Sequence, residues 1–307
     1  MKTQIQSGFL ITVLCLASIH CFNVKHAIGN SDIPPTYNIS KEWDLVYGKG
    51  EDVDLKLNLA RPLNGKGPFP ALIFLFGGGY EKGFKEVWTE EIKEAAKRGY
   101  VAAAIDYRLT SVRDESGQPK YPFPAQLQDA KCAVRWLRAS ADKYNIDVNR
   151  IGVMGFSAGG NLALMLGLTD SSHGFEGGCG DIKISSRVQA IVNLDGFTNS
   201  ELYYPIRSYF IEPWLGGTPE QEPERYKNSS PTMYGSADDP PVLSICGALS
   251  KAILSQVELL DEKMKEVGAY HKLIVRENVG HARMALMNFK GGVSPIWEFL
   301  DKYLKNE

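Results

Sequence analysis

Apolar residues along this chain gather into short solid runs separated by stretches of mixed pattern. Residues 71–76 form one run, 100–105 a second, and 151–155 a third that ends on Gly155. Runs of this length, closed by glycine or a charged residue, read as strands buried on both faces. Helical spacing fills the gaps, over about 85–98 and about 124–140, where Pro124 sits in a first turn that needs no N–H from it. A small-residue helix follows over 158–168. The alternation then repeats: strands over 188–194 and 242–246, a helix over about 254–267, a strand over 271–275 and a closing helix over about 293–304. Strand, helix, strand with solidly apolar strands predicts an α/β fold, a mostly parallel sheet with helices on both faces. Upstream, residues 52–59 alternate polar with apolar, which predicts a half-exposed antiparallel strand at a sheet edge.

One apolar run does not belong to this pattern. Residues 9–19 follow Lys2, have the length of a signal-peptide core and are too short to span a bilayer. Residues 1–27 are therefore read as a signal peptide, which implies a secreted or periplasmic protein. Neither Ile19-His20-Cys21 nor Lys25-His26-Ala27 makes a good small-x-small cleavage site, and Cys21 lacks the small residues that precede a lipidated cysteine. No stable membrane anchor is expected. Residues 22–36 read as a linker, and 28–307 as a single domain, a length that one α/β core can fill.

Two insertions interrupt the alternation. Residues 169–187 hold His173, Cys179 and four glycines and read as a loop. Residues 196–240 separate two strands by far more than an ordinary connection and read as a small cap. Tyr203, Tyr204, Tyr209, Phe210 and Trp214 lie in it, enough rings to wall a pocket or to pack the cap onto the body. Composition narrows the partners. With 44% hydrophobic residues, 23% charged and a net charge of −2, the chain has no field to draw nucleic acid. Beyond the leader, Cys132, Cys179 and Cys246 cannot all pair, and their spacing suits no zinc site. One disulfide through Cys179 is allowed in an oxidising compartment, with Cys132 and Cys246 read as buried free thiols.

The chemistry centres on Gly155-Phe156-Ser157-Ala158-Gly159-Gly160, at the passage from strand to helix. Gly-x-Ser-x-Gly in that setting is a nucleophile elbow: the glycines permit a tight turn that pushes the serine oxygen out at the sheet's carboxyl edge. The plainer alternative is a helix N-cap serine. A serine hydroxyl needs a base within hydrogen-bond reach. His281, in the loop after the last strand, is placed to be that base, whereas His173 lies in a loop and His271 opens a strand.

With Phe76-Gly77-Gly78-Gly79, Asp106-Tyr107-Arg108-Leu109, Pro122-Phe123-Pro124-Ala125-Gln126, Asp238-Asp239-Pro240-Pro241 and Gly280-His281 added, the chain from about Tyr37 onward resembles the α/β-hydrolase esterases. The type is that of hormone-sensitive lipase and the bifunctional acetyl/feruloyl esterases. The resemblance implies an ester hydrolase with Ser157 as nucleophile, His281 as base, and the N–H groups of Gly78, Gly79 and Ala158 as an oxyanion hole. Two positions depart from the pattern. Phe76 stands where a histidine normally braces the glycine loop. Ser250, in Cys246-Gly247-Ala248-Leu249-Ser250, stands where the triad aspartate belongs.

A hydroxyl cannot steady an imidazolium, and loss of the acid costs on the order of 10⁴-fold in turnover. Asp195 is the candidate replacement. It closes the preceding strand, and Ser157, Asp195, His281 keep the serine, acid, histidine order. The competing reading is an aspartate that makes a turn with Gly196, while Glu258 and Asp261 are weaker candidates on a helix. Asp106 and Arg108 are read as a strand-end ion pair beside the elbow. The expected function is a secreted serine carboxylic-ester hydrolase without metal or organic cofactor, acting on short acyl or aromatic esters, small-molecule or carbohydrate-linked. The alternatives are a binding protein that kept this fold after losing its acid and, less favoured, a peptidase.

Overall fold

The computed structural model describes residues 36–281 and 294–305, so the leader read over 1–27 lies outside the described residues. The strands are β1 (Ile39–Gly50), β2 (Val53–Pro62), β3 (Phe69–Leu75), β4 (Val101–Ile105), β5 (Ile146–Phe156), β6 (Ala190–Leu194), β7 (Val242–Gly247) and β8 (His271–Arg276). They form one sheet in the order β1-β2-β4-β3-β5-β6-β7-β8. β1 pairs β2 and β2 pairs β4 antiparallel; every pairing from β4 to β8 is parallel. Each residue of β3, β4, β6 and β7 is buried, as strands covered on both faces must be.

The helices are α1 (Thr89–Lys97), α2 (Ala125–Ala139), α3 (Ala141–Tyr144), α4 (Ala158–Leu168), α5 (Ser200–Leu215), α6 (Pro223–Asn228), α7 (Lys251–Glu266) and α8 (Pro295–Leu304). α4 is buried along its whole length, and α2 packs against it. α8 begins as its sequence suggests, with the Ser294 hydroxyl accepting the Ile296 N–H and Pro295 in the first turn. No helix of the described residues is long and apolar enough to cross a membrane.

β1 was not legible as a strand. Only Tyr47 and Gly50 of its twelve residues are buried, and its register with β2 shifts twice. An edge strand of this kind shows no clean period of two, because little of it faces the core. The ion pair expected between Asp106 and Arg108 also does not form. Asp106 Oδ2 takes Lys85 at 3.0 Å, while Arg108 Nη2 takes the buried Asp129 at 2.8 Å and Nη1 takes Glu51 at 2.7 Å. Each is already held by a partner from elsewhere in the chain, Asp106 by Lys85 and Arg108 by Asp129 of α2, so the two brace different elements.

Residues 169–187 are tied to α2. Cys132 is not the free thiol expected but is bonded to Cys179, and Cys246 is the buried free cysteine. Beside that bridge Glu176 meets Lys131 Nζ at 2.9 Å and Arg135 Nη1 at 2.6 Å. The side chains of those two cations are 0% and 1% exposed. Two buried positive charges thus depend on one loop carboxylate. Glu176→Ala is expected to lower the unfolding free energy by about 3 kcal/mol or more, the cost of stranding buried charge, read as a lower urea midpoint.

Candidate active site

The turn after β5 is made by close approach. A Cβ at Gly155 would lie 2.0 Å from the Gly159 carbonyl oxygen, and one at Gly159 would lie 2.2 Å from that of Leu75. Only glycine lets α4 press so near to β3 and β5. Between them Ser157 takes φ 57° and ψ −120°, angles that persist only where the surroundings impose them. Its side chain makes no N-cap bond to α4. Instead Ser157 Oγ lies 2.9 Å from His281 Nε2.

The other imidazole nitrogen meets an acid. His281 Nδ1 is 2.8 Å from Asp195 Oδ2. Asp195 is fully buried at the end of β6, with φ 51°. Its oxygens also accept the Gly247 N–H at 3.1 Å and the Ser250 hydroxyl at 2.7 Å. Ser250 therefore supports the carboxylate and does not replace it. The turn weighed for Asp195 is made by its neighbour, since Asn193 Oδ1 accepts the Gly196 N–H at 2.9 Å. Glu258 is exposed and Asp261 pairs elsewhere. An ionised carboxylate only accepts, so Asp195 places the proton on His281 Nδ1 and leaves the Nε2 lone pair facing Ser157.

Gly78 and Gly79 form the facing loop, at φ 130° and 65°. They line the same cavity of about 300 Å³ as Ser157, Ala158 and His281. Phe76, where the resemblance expects a histidine, stacks on Tyr107 with ring centroids 4.1 Å apart, and the Tyr107 hydroxyl donates to the Phe76 carbonyl at 2.7 Å. Tyr80 closes the loop by donating to Asn161 of α4 at 2.5 Å and stacking on Trp214 of α5. Packing and main-chain bonds thus hold the loop in place of histidine contacts.

The cap rings divide between two tasks. Trp214 is 1% exposed and packs α5 onto the body. Tyr203, Tyr209 and Phe210 line the cavity, together with Arg207. Arg207, Tyr80 and Asn161 were missed from the sequence. Arg207 left a trace there, as the cation between the rings Tyr203-Tyr204 and Tyr209-Phe210.

The model of the BD-FAE family matches residues 57–264. The chain belongs to the BD-FAE family. Esterase LipC of Mycobacterium tuberculosis is 29% identical over 207 residues, covering 65% of this chain and 49% of that protein. The probable isoprenylcysteine alpha-carbonyl methylesterase ICMEL1 of Arabidopsis thaliana is 26% identical over 270 residues, covering 83% and 54%. The chain spans about half the length of these curated relatives.

Among solved structures, esterase 2 of Thermogutta terrifontis with propionate bound superposes with a TM-score of 0.66 at 26% identity, covering 87% of this chain and 92% of that one. A truncated carbohydrate esterase from gut microbiota reaches 0.71 at 22% identity, over 90% and 97%, which bears on the fold alone. The fold of this BD-FAE chain is the α/β-hydrolase fold.

The BD-FAE chain holds a second serine, histidine, aspartate set. His271 Nδ1 lies 2.9 Å from Asp261 Oδ1, and Nε2 lies 2.9 Å from Ser244 Oγ. The His271 side chain is 0% exposed and Ser244 is wholly buried in β7, so the set joins α7 to β7 and β8, away from the two cavities on either side of His281. Burial pushes His271 below its ordinary value of 6.5, against the pull of Asp261. As pH falls below 6.5 the unfolded chain takes up a proton first, so this bridge stabilises above that pH and loses its effect below it. Relative to His271→Gln, the native protein should be more stable by about 1–2 kcal/mol at about pH 8, the gap closing towards about pH 5 in urea unfolding.

Proposed function

We propose that this protein hydrolyses carboxylic esters through an acyl-enzyme on Ser157. The observation that carries the reading is His281, bridging Ser157 at 2.9 Å and the buried Asp195 at 2.8 Å beside an open cavity. His281 Nε2 takes the hydroxyl proton as Oγ attacks the ester carbonyl carbon. The resulting oxyanion faces the N–H groups of Gly78, Gly79 and Ala158, where each fixed donor is worth on the order of 10²–10³-fold in turnover. His281 then passes its proton to the leaving alkoxide, the alcohol departs, and the same nitrogen activates the water that releases the acid. Asp195 holds the ring and steadies its positive form.

The names of the curated relatives, esterase LipC and the methylesterase ICMEL1, support ester hydrolysis. The bound propionate of the Thermogutta terrifontis esterase supports short acyl groups. A cavity of about 300 Å³ walled by Phe156, Phe197 and Phe210 accords with that size or with a single aromatic ring. Esters on carbohydrate remain within the reading. Export is part of it too, on the leader pattern of residues 1–27 and on the Cys132–Cys179 bridge, which suits an oxidising compartment.

Hydrolysis of 4-nitrophenyl acetate and butyrate by the full chain is the test. Ser157→Ala should abolish turnover and Asp195→Asn should lower it on the order of 10⁴-fold, with a fluorophosphonate probe labelling Ser157 in the native protein. Undiminished turnover in Asp195→Asn would remove Asp195 from the mechanism. Inertness of the native protein towards every ester would leave a binding protein of this fold.

A further inference from the structure

A second cavity, also about 300 Å³, opens on the other side of His281 and shares Tyr203, Arg207 and His281 with the first. Its remaining wall runs from Ile206 across Leu249 to Lys251. The charges along it are of one sign. Arg207 and Lys251 are its cations, and no carboxylate lines either cavity among the described residues.

Several buried cations of this fold are matched by carboxylates: Lys85 by Asp44, Glu86 and Asp106, Arg108 by Asp129, Arg135 by Glu176. Arg207 differs. Its guanidinium donates from Nη1 to the neighbouring Ile206 carbonyl at 3.1 Å and meets the Tyr203 hydroxyl, and among the described residues no carboxylate pairs with it. α5 breaks its helical angles at this one residue, with φ −141° and ψ 35°, and the side chain borders both cavities. A guanidinium with donors left over, beside the reacting groups, is a fork for a carboxylate, and Lys251 adds a second positive charge. Ile206 and Leu249, 42% and 64% exposed, offer apolar surface for a short arm between that charge and the scissile bond.

We propose that Arg207 and Lys251 select esters in which one moiety ends in a carboxylate, seated in the second cavity while the ester carbonyl lies at Ser157. This rests on the ester-hydrolase reading above and names its substrate class. The reaction itself is unchanged: water adds across the ester bond, releasing an alcohol and an acid, one of which carries the additional carboxylate.

Two matched pairs of probes test it. Mono-4-nitrophenyl glutarate against 4-nitrophenyl butyrate puts the charge on the acyl side. 4-Acetoxybenzoate against its methyl ester puts it on the alcohol side. In at least one pair kcat/KM should favour the anion by about tenfold or more, chiefly through KM, and the preference should shrink with added salt. Arg207→Gln should collapse that charged-to-neutral ratio by about tenfold, and Lys251→Gln, at an exposed position, should lower it by a smaller factor. Turnover of the neutral esters with no anion preference, or a ratio untouched by both substitutions, would overturn the inference and leave ester hydrolysis standing. Failure to turn over any ester would instead overturn both.

Discussion

A carboxylate with no solvent contact, at the end of a strand in the middle of the sheet, sets the terms for the rest of this site. Burying an ionised group without partners costs several kcal/mol, so Asp195 persists only because donors converge on it. Those donors come from separate places: the Gly247 main chain at the end of β7, the Ser250 side chain just before α7, and His281 after β8. Satisfying one charge therefore fixes the relative positions of three loops. Because the third donor is an imidazole, its far nitrogen is delivered to Ser157. The stabilisation of the carboxylate and the orientation of the imidazole are the same set of bonds.

The residues that depart from the family pattern become intelligible on these terms. Ser250 reads in sequence as a lost acid. In space its hydroxyl is spent on the acid that exists, one strand nearer to β5. Phe76 reads as a lost brace. It is replaced by a stacked pair with Tyr107 and by that residue's bond to the Phe76 carbonyl, which needs no imidazole. Tyr80 extends this support into α4 through Asn161 and into α5 through Trp214. Glycine loop, elbow helix and cap are thus packed against one another through one buried tyrosine.

How much of this the sequence disclosed follows from how local each signal is. β3, β4, β6 and β7 are buried along their whole length, so each appears as an apolar run, broken only by Asn193 in β6 and Ser244 in β7. The elbow is local as well, since Gly155, Ser157 and Gly159 sit within five residues, and the glycines are needed by contacts inside that turn and with β3. β1 failed because an edge strand with two buried residues carries little pattern. The Cys132–Cys179 bridge, the Arg108–Asp129 pair and the Tyr80–Asn161 bond join positions far apart in the chain. No periodicity encodes them. Asp195 lay between these cases: its place at a strand end was visible, but its three donors were not.

The two serine, histidine, aspartate sets show why residue types and distances do not by themselves define a reactive site. Ser244–His271–Asp261 and Ser157–His281–Asp195 agree within 0.1 Å in both of their key distances. They differ in where the serine sits. Ser244 is interior to a regular strand, closed off by the sheet, and its hydroxyl has Asn193 as a further neighbour at 3.3 Å. Ser157 is held at positive φ by its glycines, at the edge of a cavity that also receives the Gly78 and Gly79 loop. In the first set the imidazole is a fully desolvated strut, kept neutral by burial. In the second it is 35% exposed beside a cavity, over a wholly buried acid. An imidazole that must gain and lose a proton needs that asymmetry, with a fixed negative charge behind it and space for the exchanging partner in front. Access and backbone strain, supplied by the elbow and the glycine loop, distinguish the Ser157 set from the Ser244 set built of the same three side chains.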